Sequence, residues 1–243
     1  NKTATFYLGD VLYGFYTKPQ IMVWAADNGD GAYDTMFPYM QARGIPGSYA
    51  PTTDYLPAPN GSQITVAELL EMQAAGWSII PHQTIGTALT SMSQSEMEAE
   101  IDEVLAVHAS YGFTYREMYY PAGGATNDTA NAVMASRGIR YANNANTGNL
   151  QKSMPLYGGL INPFRLWSYT ADGKTFSEVR TAIDHAIKYG GYLRILWHDG
   201  DGADEAHFKS SMDYLYRLRE ANVIDLNSDQ TFFTRFTSPR KAR

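Results

Sequence analysis

The chain has 243 residues, 19 Lys and Arg against 25 Asp and Glu for a formal net charge of −6, and no cysteine. Its length suits one large α/β domain, and its acidity excludes electrostatic attraction to nucleic acid or to an anionic membrane surface. Disulfides, thiolate zinc and a cysteine nucleophile are excluded outright, and no run approaches the ~20 apolar residues of a membrane span.

From Ile21 onward, short apolar runs alternate with helix-period segments, the rhythm of βαβ units. Ile21 to Ala26 reads as a buried strand ending in the turn Asp27-Asn28-Gly29-Asp30-Gly31, with a helix from about Tyr33 to Arg43 behind it. Gly47 to Ala50 is the second strand, and a Pro-rich loop from Pro51 to Ser62 follows. Thr65 and Glu68 have capping-box spacing, so a helix begins there and stops at Gly76. Trp77 to Ile80 is a third strand that delivers Pro81-His82.

Ser93 and Glu96 repeat the capping box ahead of a helix running to Gly112. A strand near Glu117 to Tyr120 enters Pro121-Ala122-Gly123-Gly124, then come a helix over 127–137, a strand at Ile139 to Ala142 and a polar stretch from Asn143 to Gly148. Thr175 and Glu178 open another helix, Gly190-Gly191 close it, and Tyr192 to Trp197 is a strand presenting His198. A long helix covers roughly Ala203 to Asn222, and nothing divides the chain into two domains. Residues 1–20 fit the rhythm poorly and read as an added β-element or arm.

The polar candidates thus fall at predicted strand C-termini: Asp27 and Asn28, His82, Tyr119 to Gly124, His198 and Asp199. In a parallel sheet or barrel those ends share the face where ligands bind. Singly, each has an ordinary reading, Asp27-Asn28-Gly29 as a turn and each histidine as a structural residue. The Asp199 to Gly202 run lacks the spaced oxygens and distal Glu of a calcium loop. Tyrosine counts 18 while charged residues are 18 % of the chain, a composition that goes with sugar handling.

In order and spacing these segments resemble the polysaccharide deacetylases of the NodB-homology type, over about Ile21 to Arg219. Ala26-Asp27-Asn28-Gly29 looks like the family's Phe-Asp-Asp-Gly, and Gly44-Ile45-Pro46 like its Gly-Ile-Pro. Gly76 to His82 is similar to the lead-in to the His-Ser/Thr-x-x-His motif, Tyr119 to Gly123 sits at Arg-x-Pro-Tyr-Gly, and Leu196-Trp197-His198 matches Leu-x-His. The resemblance implies a distorted (β/α) barrel of about seven units in one domain over 1–243. It also implies an extracellular or cell-surface setting, and a polysaccharide or oligosaccharide partner contacted by Tyr119, Pro121 and Trp167.

By the same resemblance Asp27 is the general base, His198 the general acid and His82 the first metal histidine. The other positions depart from the family: the second Asp is the neutral Asn28, the second His is Gly86, and the Arg is Tyr119. No cofactor is therefore expected beyond weak zinc binding, with Asp30 the candidate to fill the gap. Without a metal, an oxyanion would need Tyr119 OH, the backbone N–H groups of the Pro121–Gly124 turn or protonated His198. Two classes of function stay open. One is a deacetylase-type hydrolase, metal-independent or weakly metal-dependent, on an N- or O-acetylated polysaccharide. The other is a catalytically inactive carbohydrate-binding or structural domain.

Overall fold

A computed structural model of the chain describes residues 18–27, 31–57, 63–84, 87–122, 126–146, 164, 166–198, 200 and 202–237. The 1–20 segment lies outside these except for its last three residues, of which Gln20 opens the first strand. The strands are β1 (Gln20–Asp27), β2 (Gly47–Pro51), β3 (Ser78–Ile79), β4 (Met118–Tyr119), β5 (Tyr141–Asn146), β6 (Leu166–Thr170), β7 (Tyr192–Trp197) and β8 (Asp225–Leu226). A π-helical turn (Ala32–Met36) runs into α1 (Phe37–Gln41), followed by α2 (Val66–Ala74), α3 (Gln94–Ser110), α4 (Asp128–Ser136), α5 (Phe176–Tyr189), α6 (Glu205–Glu220) and α7 (Asp229–Thr237).

All the strand pairs are parallel, in the order β3-β2-β1-β7-β6-β5-β4, with β8 beside the start of β1. The two ends of that order meet just beyond β3 and β4. His82 is bridged in parallel to both Thr52 and Tyr120, with Gln83 N–H donating to the Tyr120 carbonyl at 2.9 Å and Tyr120 N–H to the Pro81 carbonyl at 2.8 Å. The sheet is therefore a seven-stranded distorted barrel with a seam held only at its mouth among the described residues.

Strand alternation sorts the apolar side chains into layers. Ile21, Val23, Ala25, Tyr49, Ile79, Leu193, Ile195 and Trp197 face outward and pack with α1, α2, α5 and α6. Met22, Trp24, Ala26, Ala50, Leu166, Tyr192 and Leu196 fill the interior with Phe232 and Phe233 of α7. A third cluster joins Met97, Ile101 and Val104 of α3 to Val133 and Met134 of α4 over Tyr119 and Ala142.

Local chemistry sets the helix starts. Thr65, Ser93 and Thr175 form complete capping boxes with Glu68, Glu96 and Glu178. Two glycines are required by space. A Cβ on Gly47 would lie 2.7 Å from three atoms of the Trp77 ring, and one on Gly200, at φ +64°, would lie 2.6 Å from Met36 Cγ. Four features escape the sequence pattern: β6, β8 and α7, for which no element is expected, and β5, which runs to Asn146 through residues that read as a polar stretch. The reason for the last is that the barrel interior is partly polar, and Asn143 points into it to accept from Arg194 Nη1 at 2.7 Å.

Candidate active site

The strand C-termini form a ring at one end of the barrel. Ala25 is level with Trp197, so Asp27 at the end of β1 and His198 just after β7 leave from neighbouring strands, about 4.8 Å apart in the sheet. On the other flank Asp27 is level with Pro51, and Thr52, His82 and Tyr120 continue the ring around the seam. The Asp27 side chain, with Asn28, Asp30, Gly86, Gly123, Gly124 and Asp199, lies outside the described residues.

His198 has a partner that the sequence reading missed. Asp172, in the turn after β6, accepts the backbone N–H of His198 at 2.8 Å through Oδ1 and lies 2.5 Å from His198 Nδ1 through Oδ2. One carboxylate therefore fixes both backbone and ring, setting the Nδ1–H tautomer and leaving Nε2 for proton exchange with a ligand. Asp204, just ahead of α6, accepts Gly173 N–H at 2.9 Å and holds the same turn from behind. The signal was present as an Asp-Gly pair behind Trp167 to Ala171, but it is legible only once that run is read as a strand beside β7.

His82 is buried, 5 % exposed, with Nδ1 2.6 Å from the Gln83 carbonyl and its ring 4.6 Å from that of Tyr120. Pro121 follows Tyr120 and is buried beside the seam. Tyr119 is not on the pocket wall. It is fully buried in the outer cluster between α3 and α4, its hydroxyl has no hydrogen-bond partner among the described residues, and burial pushes its pKa well above the ordinary 10. The physical reason is the period of two, because one step along a strand exchanges the faces and Tyr120 is the inward residue. Trp167 is displaced by the same rule: half-buried on β6, it shares the face of Tyr169 and the outer core, whereas Leu166 and Ser168 line the interior.

Among the expected oxyanion donors, Tyr119 is thus withdrawn, Pro121 has no N–H, and Ala122 N–H already donates to Gln83 Oε1 at 3.0 Å. A metal fares little better. A histidine whose Nδ1–H meets a carbonyl is a normal ligand through Nε2, so the His82 ring is suitably prepared. However, among the described residues no group of three His, Cys, Asp or Glu is placed to hold an ion. Asn28 is neutral and Gly86 has no side chain. Of the family's metal positions the described residues thus supply His82 alone, short of the three protein ligands and open position of a catalytic zinc.

No family model and no curated relative matches the sequence. Solved structures match the fold. A family 4 carbohydrate esterase from Streptomyces lividans, in complex with acetate, has a TM-score of 0.60 at 15 % identity over 86 % of this chain and 91 % of that one. A family 4 acetyl xylan esterase from Clostridium thermocellum, in complex with a cobalt ion, gives 0.60 at 13 % identity over 90 % and 93 %. A pseudoenzyme of that family from Bacillus anthracis gives 0.62 at 6 % identity over 88 % and 65 %, and a mutant of the pseudoenzyme is described as having restored enzymatic activity. The chain therefore has the fold of the family 4 carbohydrate esterases, the NodB-type polysaccharide deacetylases.

Proposed function

We propose that the chain is a deacetylase-type carbohydrate hydrolase, removing acetyl groups from an N- or O-acetylated polysaccharide or oligosaccharide with at most a weakly held divalent ion. The single observation that carries this reading is the Asp172–His198 pair at the barrel mouth, one strand from the end of β1. A fold shared by esterases and a pseudoenzyme does not separate activity from its loss. A carboxylate spent on fixing both the backbone and the ring of a mouth histidine has a use in proton transfer and little in packing.

In this reading the Asp27 carboxylate takes a proton from water as the water oxygen bonds to the acetyl carbonyl carbon. The resulting tetrahedral oxyanion collapses and the C–N or C–O bond breaks as His198, protonated on both ring nitrogens beside Asp172, gives its Nε2 proton to the leaving amine or alkoxide; acetate leaves, Asp27 returns its proton to solvent and His198 takes one up again. Asp172 keeps Nε2 aimed at the leaving group and supplies negative charge beside the imidazolium. His82 and Pro121 contribute to the wall around the sugar, on the extracellular or cell-surface side where polysaccharide is met.

The test is acetate release from a panel of acetylated polysaccharides and oligosaccharides, with and without chelator, alongside metal analysis of the purified protein. The expected result is chelator-resistant release that falls by ~10²–10⁴-fold in Asp27→Asn, His198→Ala and Asp172→Asn. Saccharide binding with no acetate released from any member of the panel would sink the hydrolase reading in favour of a binding domain. Stoichiometric zinc on His82 would overturn the metal part alone.

A further inference from the structure

Beneath His82 the barrel interior holds a column of rings in contact, each tilted by about 50° to the next. The His82 ring lies 4.6 Å from Tyr120, centroid to centroid, and Tyr120 lies 5.8 Å from Trp24. The Arg194 guanidinium sits 3.8 Å from the other end of the column, over the Trp24 ring. The foot is clamped by one carboxylate. Asp229, the first residue of α7, accepts from Trp24 Nε1 and from Ser48 Oγ at 2.7 Å, and pairs with Arg194 Nη2 at 3.2 Å. Arg194 is further held by Asn143 Oδ1 at 2.7 Å and touches Met118 Sδ at 3.4 Å. Trp24, Arg194 and Asp229 are 0 % exposed, and Tyr120 and His82 are each 5 % exposed.

The chemistry of this foot exceeds what filling a barrel needs. Leucine and phenylalanine would pack the same space without an arginine and an aspartate to desolvate. What the polar foot adds is directionality. The Trp24 ring is fixed in its plane by a charge-assisted bond at one edge and a cation on one face. Tyr120 and then His82 lean on it in turn. The geometry points to Asp229 and Trp24 as positioning residues that hold the His82 imidazole, through Tyr120, in the orientation that gives Nδ1–H to the Gln83 carbonyl.

This deepens the proposed reading of the site and rests on it for its purpose, but its test needs no substrate. In the full chain the His82 Nδ1–H is observed by NMR as a downfield imidazole proton, assigned by its loss in His82→Asn, and its exchange with solvent is timed. Tyr120→Leu, which removes a ring from the column, should speed that exchange by about tenfold or more, and Tyr120→Phe, which keeps the ring, should stay within about twofold. Asp229→Asn, at the far end, should speed it by about threefold or more. Ile183→Ala, a cavity in the outer core, should not change it although it also destabilises the fold. If Asp229→Asn leaves the exchange unchanged, or Ile183→Ala speeds it equally, the column is packing only and the inference is overturned. Should Asp229→Asn fail to fold, Trp24→Phe, which keeps a ring and deletes the Nε1 donor, carries the same expectation and the same refutation. A chain that releases no acetate still decides the column, and a failed column leaves the Asp172–His198 reading standing.

Discussion

His108 shows how one side chain can fix the pH range of a fold. It is fully buried on the inner face of α3 against Phe113, 5.2 Å between ring centroids, and neither ring nitrogen has a hydrogen-bond partner among the described residues. Burial, and after it the charges of His82 and Arg116, pull its pKa from 6.5 down to about 3. The unfolded chain therefore binds a proton between those values that the folded chain refuses, so this stability is whole above pH 6.5 and is lost as pH falls toward 3. At pH 5 the loss is about 2 kcal/mol. Urea midpoints at pH 7.5 and pH 5 check it: the acid-induced loss should shrink by about that amount in His108→Leu, which removes two unpartnered nitrogens from the interior. An equal loss in both proteins would show that His108 does not carry it. The sequence gives no warning here, because a histidine at a helical interval from Val104 looks like any other turn of the helix.

Strands and helices were legible to different depths for physical reasons. Three of the helix starts are written locally, in Thr65, Ser93 and Thr175 with a glutamate three residues on, and each forms where that spacing puts it. Facing is not local. Tyr119 and Tyr120 are the same residue type side by side, and only the pairing of β4 with β5 and the bridge to His82 decide which looks inward. Likewise β6 and the end of β5 hide because their inward positions carry Asn143 and Ser168, polar residues suited to a barrel with an arginine inside. Asp172 was lost with β6, and the ordering of His198 was lost with it. Gly47 is the element-level test. It opens β2 flush against Trp77, so Gly47→Ala should cost about 1–3 kcal/mol by overpacking, read as a lower midpoint in chemical denaturation. A neutral outcome would mean that Trp77 has room to withdraw.

For the barrel as a body, Arg194–Asp229 is an ion pair with both side chains fully buried. Burial pushes the Asp229 carboxyl up, while Arg194, Ser48 and Trp24 pull it back. Removing only the cation strands a carboxylate in the interior, so Arg194→Met should cost about 3–5 kcal/mol. That deficit should be greatest at neutral pH and shrink as acid protonates Asp229, since a raised acid favours its neutral form. Arg194→Met combined with Asp229→Leu should recover most of the stability, which the sum of independent losses would forbid. Comparing the single and double variants by denaturation at pH 7.5 and pH 5 checks both statements.

The seam between β3 and β4 gives the barrel a place to breathe. Every other junction is a ladder, whereas this one is fastened at the rim by the Gln83 and Tyr120 amides, beside the same His82 that lines the mouth. A cylinder fastened so unevenly parts first along that line, and amide exchange at Gln83 and Tyr120 should outpace exchange at Val23 in the middle of the sheet. On the proposed reading, a sugar seated over the rim that joins the His82 and Tyr120 backbones would act as a clasp, binding the closed cylinder and not the parted one. Its affinity would then include the work of closing, and its presence should slow exchange at the two rim amides while leaving Val23 as it was. Equal slowing at all three would mean that the cylinder opens as one piece.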